Sequence, residues 1–216
     1  MEYLYWDKKI ITDFSLQNIT LLYDKGYVFT RTEKGAMDQT RSVRIDLSQF
    51  ALSSENKRIL KKTEGLDLLQ VSLPYAKYDW TIGKLAKDFY DTKFGTGVFS
   101  ANKIKELLTD ESKSNFNTLL VYSMLGKTLG YSICFESDTL LHYSYPFYDL
   151  VASPKDMGMG MMLRAILHAQ AFDKTYIYLG SAQRPSDTYK LQFSGLEWFD
   201  GKEWQSDLHE LKTILS

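Results

Sequence analysis

A glycine turn carries the residue types and spacing most suited to chemistry in this sequence. Lys155, Gly158 and Gly160 precede an amphipathic helical pattern. Free amides at a helix start bind anions, glycine lets a phosphate approach the backbone, and a nearby cation adds charge. The pattern predicts a site for the phosphate of a group-transfer donor. The alternative is that the glycines only permit close packing of the helix, and the turn alone does not decide between the two.

A polar segment after the apolar run 176–180 supplies further candidates, Asp187, Tyr189 and Lys190. A tyrosine hydroxyl can protonate a leaving alkoxide, a carboxylate can hold an α-ammonium group, and a lysine can hold a carboxylate or phosphate. The alternative is a capped helical turn with solvated charges.

His142 lies within a strand-like segment, 139–145. It is a candidate general base, and the alternative is a structural histidine held by a hydrogen bond. We expect His168 and His209 to be solvated, and the three histidines are too dispersed for a metal site, so no metal is predicted.

The elements that position these residues fall into two regions. Residues 1–75 predict a small α+β region. Its elements are a helix at 15–25 ending at Gly26, a strand at 27–31, a polar loop at 33–39, a half-buried strand at 42–47, a helix capped by Ser53 or Ser54, and a strand at 66–74.

Residues 76–216 predict two helices and then a strand-rich domain. The predicted elements are helices at 81–92 and after Ser100, strands at 118–125, 128–135 and 139–145, the glycine-led helix, a strand at 176–180, a strand pair around Trp198 and Trp204, and a last helix capped by Ser206. Three antiparallel strands, a crossover helix and a further strand form the order of GNAT acyltransferases. The predicted fold class is therefore α/β, a GNAT-like acyltransferase core with a small N-terminal α+β region.

Composition limits the class of protein. The chain has 216 residues, of which 44% are hydrophobic and 25% charged, as in a soluble globular protein. No apolar run reaches the roughly 20 residues that span a membrane, and the first residues do not resemble a signal peptide, so we expect a cytoplasmic protein with no membrane partner. Cys134 is the only cysteine, which excludes an intrachain disulfide and a cysteine zinc cluster. Its apolar surroundings predict a buried, inert thiol.

Charge is unevenly distributed along a chain whose net charge is −1. Six basic residues stand between positions 41 and 62 against two acidic ones: Arg41, Arg44, Lys57, Arg58, Lys61 and Lys62. A local basic face can bind nucleic acid without a basic isoelectric point.

Two separated segments resemble the arginyl- and leucyl-tRNA–protein transferases. Residues 40–50 (TRSVRIDLSQF) with 53–58 (SSENKR) resemble that family's Arg-Ile/Val, Phe and Ser-rich basic helix. Residues 176–180 (YIYLG) with 189–193 (YKLQF) resemble its Tyr-Leu-Gly and Tyr-Lys-x-x-Phe motifs. The resemblance implies transfer of an amino acid from aminoacyl-tRNA to a protein N-terminus, commonly an acidic one, on a GNAT-like core without a cofactor.

The resemblance also implies roles for the candidate residues. Lys155, Gly158 and Gly160 would hold the 3′ end of the tRNA. Arg41, Arg44, Lys57 and Arg58 would hold tRNA or the acidic acceptor residue. Tyr143, Asp187, Tyr189 and Lys190 would form the centre, with His142 as possible base.

The sequence departs from the family at several positions. Residues 1–4 (MEYL) and 37–40 (MDQT) stand where the family has cysteines, Ser181-Ala182 replaces an aromatic pair, and Tyr145 replaces an aspartate. Two alternatives therefore stay open. One is an acetyl-CoA-dependent N-acetyltransferase, which needs the same glycine loop and no basic face. The other is a non-catalytic binding module on the same fold.

Overall fold

The computed structural model describes residues 3–216, which form two sheets and six α-helices. The strands are β1 (Asp7–Ile10), β2 (Tyr27–Phe29), β3 (Ala36–Gln39), β4 (Ser42–Asp46), β5 (Leu66–Ser72), β6 (Thr118–Met124), β7 (Lys127–Glu136), β8 (Leu140–Tyr148), β9 (Tyr176–Ser181), β10 (Leu196–Phe199) and β11 (Trp204–Gln205). The helices are α1 (Leu16–Asp24), α2 (Ser54–Lys62), α3 (Trp80–Phe94), α4 (Ala101–Thr109), α5 (Met157–Ala171) and α6 (Leu208–Leu215), with a 3₁₀ helix at Pro185–Gln192.

The large sheet has eight strands in the order β11-β10-β4-β9-β8-β7-β6-β5. Strands β6, β7 and β8 form an antiparallel meander, and α5 then crosses over so that β9 runs parallel to β8. This is the predicted order of three antiparallel strands, crossover helix and further strand. The structure confirms the α/β fold class with a GNAT-like core.

Apolar side chains cover both faces of this sheet. One core cluster packs against α2, α5 and α6, and the other packs against α1, α3 and α4. Cys134 is buried, as predicted, and burial raises the pKa of its thiol to about 12. Such a thiol is inert at neutral pH.

Local sequence signals place most helix starts correctly. Ser15, Ser53 and Ser100 each accept a hydrogen bond from a first-turn amide of the following helix. The prediction for the last helix is wrong by one residue, because Asp207 rather than Ser206 accepts the amide protons of the first turn of α6. Carboxylates are as effective as serine at this position.

Two predictions about the N-terminal region are wrong. The segment 33–39 is not all loop, because Ala36–Gln39 forms β3, the middle strand of the three-stranded sheet β1-β3-β2. Strand β4 is not half-buried, because it lies between β9 and β10 and is covered on both faces. Its apparent alternation comes from Arg44, a buried cation.

The predicted boundary at residue 75 stays a prediction, although β4 and β5 belong to the same sheet as the strands that follow it. Met1 and Glu2, which begin the first segment lacking the family's cysteines, lie outside the described residues. Among residues 3–216, no helix is both long enough and apolar enough to cross a membrane.

Candidate functional site

Strands β8 and β9 separate part-way along their length. They pair at Leu140, Leu141 and His142 of β8, and beyond the His142–Tyr178 pair each continues without the other. In β8 the pairing with β7 also shifts between Tyr143 and Tyr145, which leaves Ser144 as an extra residue. Bulges of this kind redirect side chains and are common beside active sites. We call this opening the fork, comprising Tyr143–Tyr145 of β8 and Gly180–Ser181 of β9.

Buried polar side-chain atoms without a hydrogen bond mark the fork and its approach. In the described chain these are Tyr143 Oη, Ser144 Oγ, Arg41 Nε and Ser153 Oγ. Tyr143 and Ser144 lie in the fork, and Arg41 lies beside its end, with Nη1 3.5 Å from the Ala182 carbonyl oxygen. Ser153 lies in the loop from β8 to α5. Buried polar atoms are normally paired, so the unpaired atoms of Tyr143, Ser144 and Arg41 at the fork indicate a site that can accept a polar ligand.

The ammonium of Lys190 lies at the fork. The 3₁₀ helix carries it, only 7% of the residue is exposed, and its ammonium donates to the Ser181 carbonyl oxygen at 2.7 Å. Gly180, with φ +76°, leaves space next to that ammonium. Burial lowers the pKa of Lys190, while the charge of Asp187 opposes this shift.

Asp187 positions the segment that carries Lys190. Its Oδ2 accepts from the amides of Gln183 and Arg184 at 2.8 and 3.0 Å. These bonds match the alternative of a capped turn, so Asp187 is a positioning residue whose carboxylate is already engaged.

Tyr189 lies at what we call the entrance to the fork, because the residue is 44% exposed and its ring centre is 5.8 Å from the Lys190 ammonium. Burial raises its pKa to about 12, and the charges of Asp187 and Tyr148 add to that shift. Tyr189 in turn contributes to the raised pKa of Tyr143 after burial and Cys134. The entrance is therefore lined by tyrosine hydroxyls that stay protonated at neutral pH and can donate hydrogen bonds.

The side chain of His142 packs on the opposite face of β8 from that of Tyr143. It is 2% exposed, and its Nδ1 lies 2.9 Å from the hydroxyl of Tyr23. Burial, together with the charge of Lys190, lowers its pKa to about 3. These contacts favour the structural alternative, because a base that is protonated only near pH 3 is too weak to deprotonate an amine.

A cavity of about 430 Å³ opens at the start of α5. Lys155 and Gly158 line it, together with Lys93, Tyr148 and Ser153, three residues that the sequence did not single out. The Tyr148 ring lies 3.3 Å from the position that a Cβ on Gly158 would take. The run YSYPFY at 143–148 was the available signal for Tyr148, and nothing in the sequence pointed to Lys93.

Gly160 does not face this cavity. Its amide donates to the Asp156 carbonyl oxygen at 2.9 Å, and a Cβ there would meet Thr63, the residue after α2, at 2.7 Å. Gly160 therefore serves helix packing, and of the two glycines only Gly158 lines the predicted donor site.

The basic helix α2 lies beside the start of α5. The Asp156 carboxylate is 3.2 Å from the Lys62 ammonium and 3.9 Å from the Arg58 guanidinium. Lys57 and Lys61 are exposed on the same helix. The cationic flank therefore lies beside the start of α5, where the amides of Met157 and Gly160 already donate to the carbonyl oxygens of Pro154 and Asp156.

Arg44, predicted to hold tRNA or an acidic acceptor residue, is engaged by contacts within the protein. It is 7% exposed, and its guanidinium lies 3.9 Å from the ring centres of both Tyr176 and Trp204. It also forms ion pairs with Glu197 and Asp24 at 2.7 and 3.5 Å. The guanidinium is therefore already bound by carboxylates and aromatic rings of the protein itself.

Within residues 3–216, no three histidine, cysteine, aspartate or glutamate side chains converge as a metal site. The chain is 27% identical to an aspartate/glutamate leucyltransferase of Ruegeria pomeroyi, over 76% of this chain and 61% of that protein. It is 26% identical to a second aspartate/glutamate leucyltransferase, of Dinoroseobacter shibae, over the same shares. The chain thus spans about three fifths of the length of these curated relatives. No protein-family model matches it.

Among solved structures, L-PGS from Bacillus licheniformis is similar with a TM-score of 0.48 and 13% identity, over 78% of this chain and 52% of that one. A DUF2156 domain from Agrobacterium fabrum has a TM-score of 0.47 and 14% identity, over 81% of this chain and 54% of that one.

Proposed function

We propose that this protein is an enzyme that transfers an amino acid from aminoacyl-tRNA to the N-terminal α-amine of a protein. The names of the curated relatives support leucine as the amino acid and aspartate or glutamate as the acceptor residue. Two observations carry the proposal. The fork holds buried side-chain donors without a hydrogen bond, and the cavity at the start of α5 has a basic flank on α2.

The donor would bind along the α5 side of the fork. Lys155 and the amide end of α5 at Gly158 suit the phosphates next to the aminoacyl ester. Lys57 and Arg58 of α2 suit the acceptor stem, and binding to them should weaken steeply with salt. Arg41, with its unpartnered Nε, suits the carboxylate of an acidic acceptor residue.

The chemistry needs positioning more than a covalent intermediate. The acceptor amine attacks the ester carbonyl, so a C–N bond forms and the bond from that carbon to the ribose oxygen breaks. The proton lost by the amine ends on the ribose oxygen. The Tyr143 and Ser144 hydroxyls and the Lys190 ammonium are donors suited to the oxyanion that develops in between.

The two alternatives make different demands on the same residues. An N-acetyltransferase would use the cavity at Gly158 but would have no need of the cations of α2. A binding module would not need a buried, hydrogen-bond-poor ammonium at Lys190, which is costly to keep in a fold.

The direct test incubates the protein with radiolabelled leucyl-tRNA and peptides that begin with Asp, Glu or Gly. We expect label in the Asp and Glu peptides and none in the Gly peptide. A parallel reaction replaces leucyl-tRNA with labelled acetyl-CoA. Acetylation without leucyl transfer would replace this proposal with the N-acetyltransferase, and binding of either donor without transfer would support the binding module.

A further inference from the structure

The C-terminal end of α3 borders the cavity at the start of α5 and carries a cation next to an exposed aromatic ring. Lys93 lines the same cavity as Lys155 and Gly158. Phe94, the last residue of α3, is 53% exposed. An aromatic ring left this open beside a charged cavity is a candidate contact surface rather than part of the core.

The Phe94 ring is supported from within the protein. It lies 5.6 Å from the ring of Tyr90 and 6.4 Å from that of Phe89. Phe89 in turn packs 4.8 Å from Tyr148, which lines the cavity. A ring held in place by neighbours loses little conformational entropy when a planar ligand stacks on its open face.

The charge around this ring favours an anionic occupant. Neither Lys93 nor Lys155 forms an ion pair with any residue in the part of the chain that the structure describes. Asp156, the carboxylate in the cavity wall, is already paired with Lys62 and Arg58. Two unpaired ammonium groups next to a stacking surface are complementary to a phosphate-linked base.

We infer that Phe94 and Lys93 bind the unpaired 3′ end of the donor RNA, with a base stacked on Phe94 and a neighbouring phosphate held by Lys93 and Lys155. This inference rests on the proposed function. The adenine nucleotide of coenzyme A offers the same base and phosphate chemistry. The basic helix α2 beside the cavity favours RNA, because a duplex stem extends beyond the 3′ end and coenzyme A does not.

The test compares two fluorescent RNA hairpins of identical stem, one with a single-stranded 3′ CCA end and one without it, by anisotropy. Phe94→Ala should weaken binding of the CCA hairpin by about 5- to 100-fold, since base–aromatic stacking contributes that range, and leave the other hairpin unchanged. Phe94→Trp should preserve binding. Lys93→Ala should lower the slope of log affinity against log salt by roughly 0.7–0.9.

Matched controls lie on α3 and just beyond α5. Phe172→Ala removes a ring that is 62% exposed just beyond the opposite end of α5, and Lys84→Ala removes an exposed cation from the first half of α3. Both should leave CCA binding unchanged. Thermal melting of each variant checks that it is folded.

Three results would overturn the inference. They are equal weakening of both hairpins by Phe94→Ala, no weakening of either, and weakening of coenzyme A binding with no effect on RNA. The proposed function is judged separately, by leucyl transfer from the wild-type protein. If the wild-type protein transfers leucine but Phe94→Ala does not change the affinity for the CCA hairpin, the proposed function stands and only the role of Phe94 is refuted.

Discussion

The Lys62 ammonium lies 3.2 Å from the Asp156 carboxylate, and this contact joins the basic helix α2 to the start of α5. Asp156 is the residue before α5 and adopts a left-handed conformation, φ +69°, without capping the helix by its side chain. Its carboxylate thus stands between the cations of α2 and the helix end that we propose binds phosphate. The ion pair holds the basic helix α2 beside the start of α5 and at the same time neutralises part of the positive charge of α2.

Replacing this carboxylate should strengthen donor binding. Asp156→Asn keeps a side chain that tolerates the left-handed conformation and frees Lys62 and Arg58. Removing one unit charge about 4 Å from the ligand corresponds to roughly 1 kcal/mol in water, so we expect about 5-fold tighter binding of an RNA hairpin at low salt. The gain should shrink as salt is raised, because exposed charges are screened. Unchanged affinity at low salt would show that the ligand does not reach this end of α5.

How far the sequence predicts this fold depends on whether a pattern has a local cause. The caps at Ser15, Ser53 and Ser100 depend on residues one turn away, so they are readable from the chain. Strand β3 cannot be read from the chain in this way. Its polar residue Asp38 pairs across the sheet with Lys8 and Val28, which belong to other strands.

The same distinction explains the candidate site. Gly158 and Lys155 follow from a local helix-start pattern, and the structure places both on a cavity. The packing of Arg44 and Gly160 is not readable from the sequence, because their partners, Trp204 and Thr63, approach from distant parts of the chain. The motif alone does not show whether a basic residue or a glycine will contact a ligand or other parts of the same protein.

The two glycines of the turn should respond differently to alanine. Gly160→Ala places a Cβ 2.7 Å from Thr63, whose branched side chain is held by a hydrogen bond from Arg164. Overpacking of this kind costs about 1–3 kcal/mol of the free energy of unfolding. Gly158→Ala places a Cβ 3.3 Å from the Tyr148 ring, a contact that a shift of a few tenths of an ångström relieves, and gains helix propensity, so its stability should change by less than about 1 kcal/mol.

Urea unfolding of both variants measures this difference. Donor binding should show the reverse order, with Gly158→Ala the more damaging because its Cβ lies in the cavity. Equal stability losses would mean that α2 can move away from α5 and that Gly160 is not a packing glycine.

His142 should make folding stability depend on acid pH. Its folded pKa of about 3 lies below the ordinary value of 6.5, so the unfolded chain binds the extra proton between these limits. The stabilisation is complete above pH 6.5 and is lost as the pH falls towards 3, by up to about 1.4 kcal/mol per pH unit. His142→Asn should therefore lose less stability than wild type between pH 7 and pH 5 in urea titrations. The exposed His209→Asn variant is the control, and identical pH profiles for His142→Asn and wild type would contradict the assignment.

Alanine variants of Arg44 and Lys57 should have opposite effects, one on folding stability and the other on RNA binding. Arg44→Ala leaves the carboxylates of Glu197 and Asp24 without their cation and empties the space between Tyr176 and Trp204, so we expect a loss of roughly 3 kcal/mol. Lys57→Ala removes an exposed cation and should leave the free energy of unfolding within about 0.5 kcal/mol of wild type. Only the Lys57 variant should reduce the salt dependence of RNA binding in a protein of normal stability. If Lys57→Ala left the slope of log affinity against log salt unchanged, the RNA would not contact α2.

Lys190→Met should strongly reduce the rate of transfer without destabilising the protein. Methionine matches the length of the buried stem and removes an ammonium that has one hydrogen bond, to the Ser181 carbonyl oxygen. Burying a charge with so few partners is unfavourable, so the free energy of unfolding should stay the same or rise. Loss of an electrostatic donor at the reacting centre should lower kcat for leucyl transfer by about 100-fold or more, with a smaller effect on KM. Lys202→Met, at an exposed lysine, controls for the loss of charge alone. If Lys190→Met unfolded more easily than wild type and kept its kcat, the ammonium would be a structural group, and the fork would need another donor for the oxyanion.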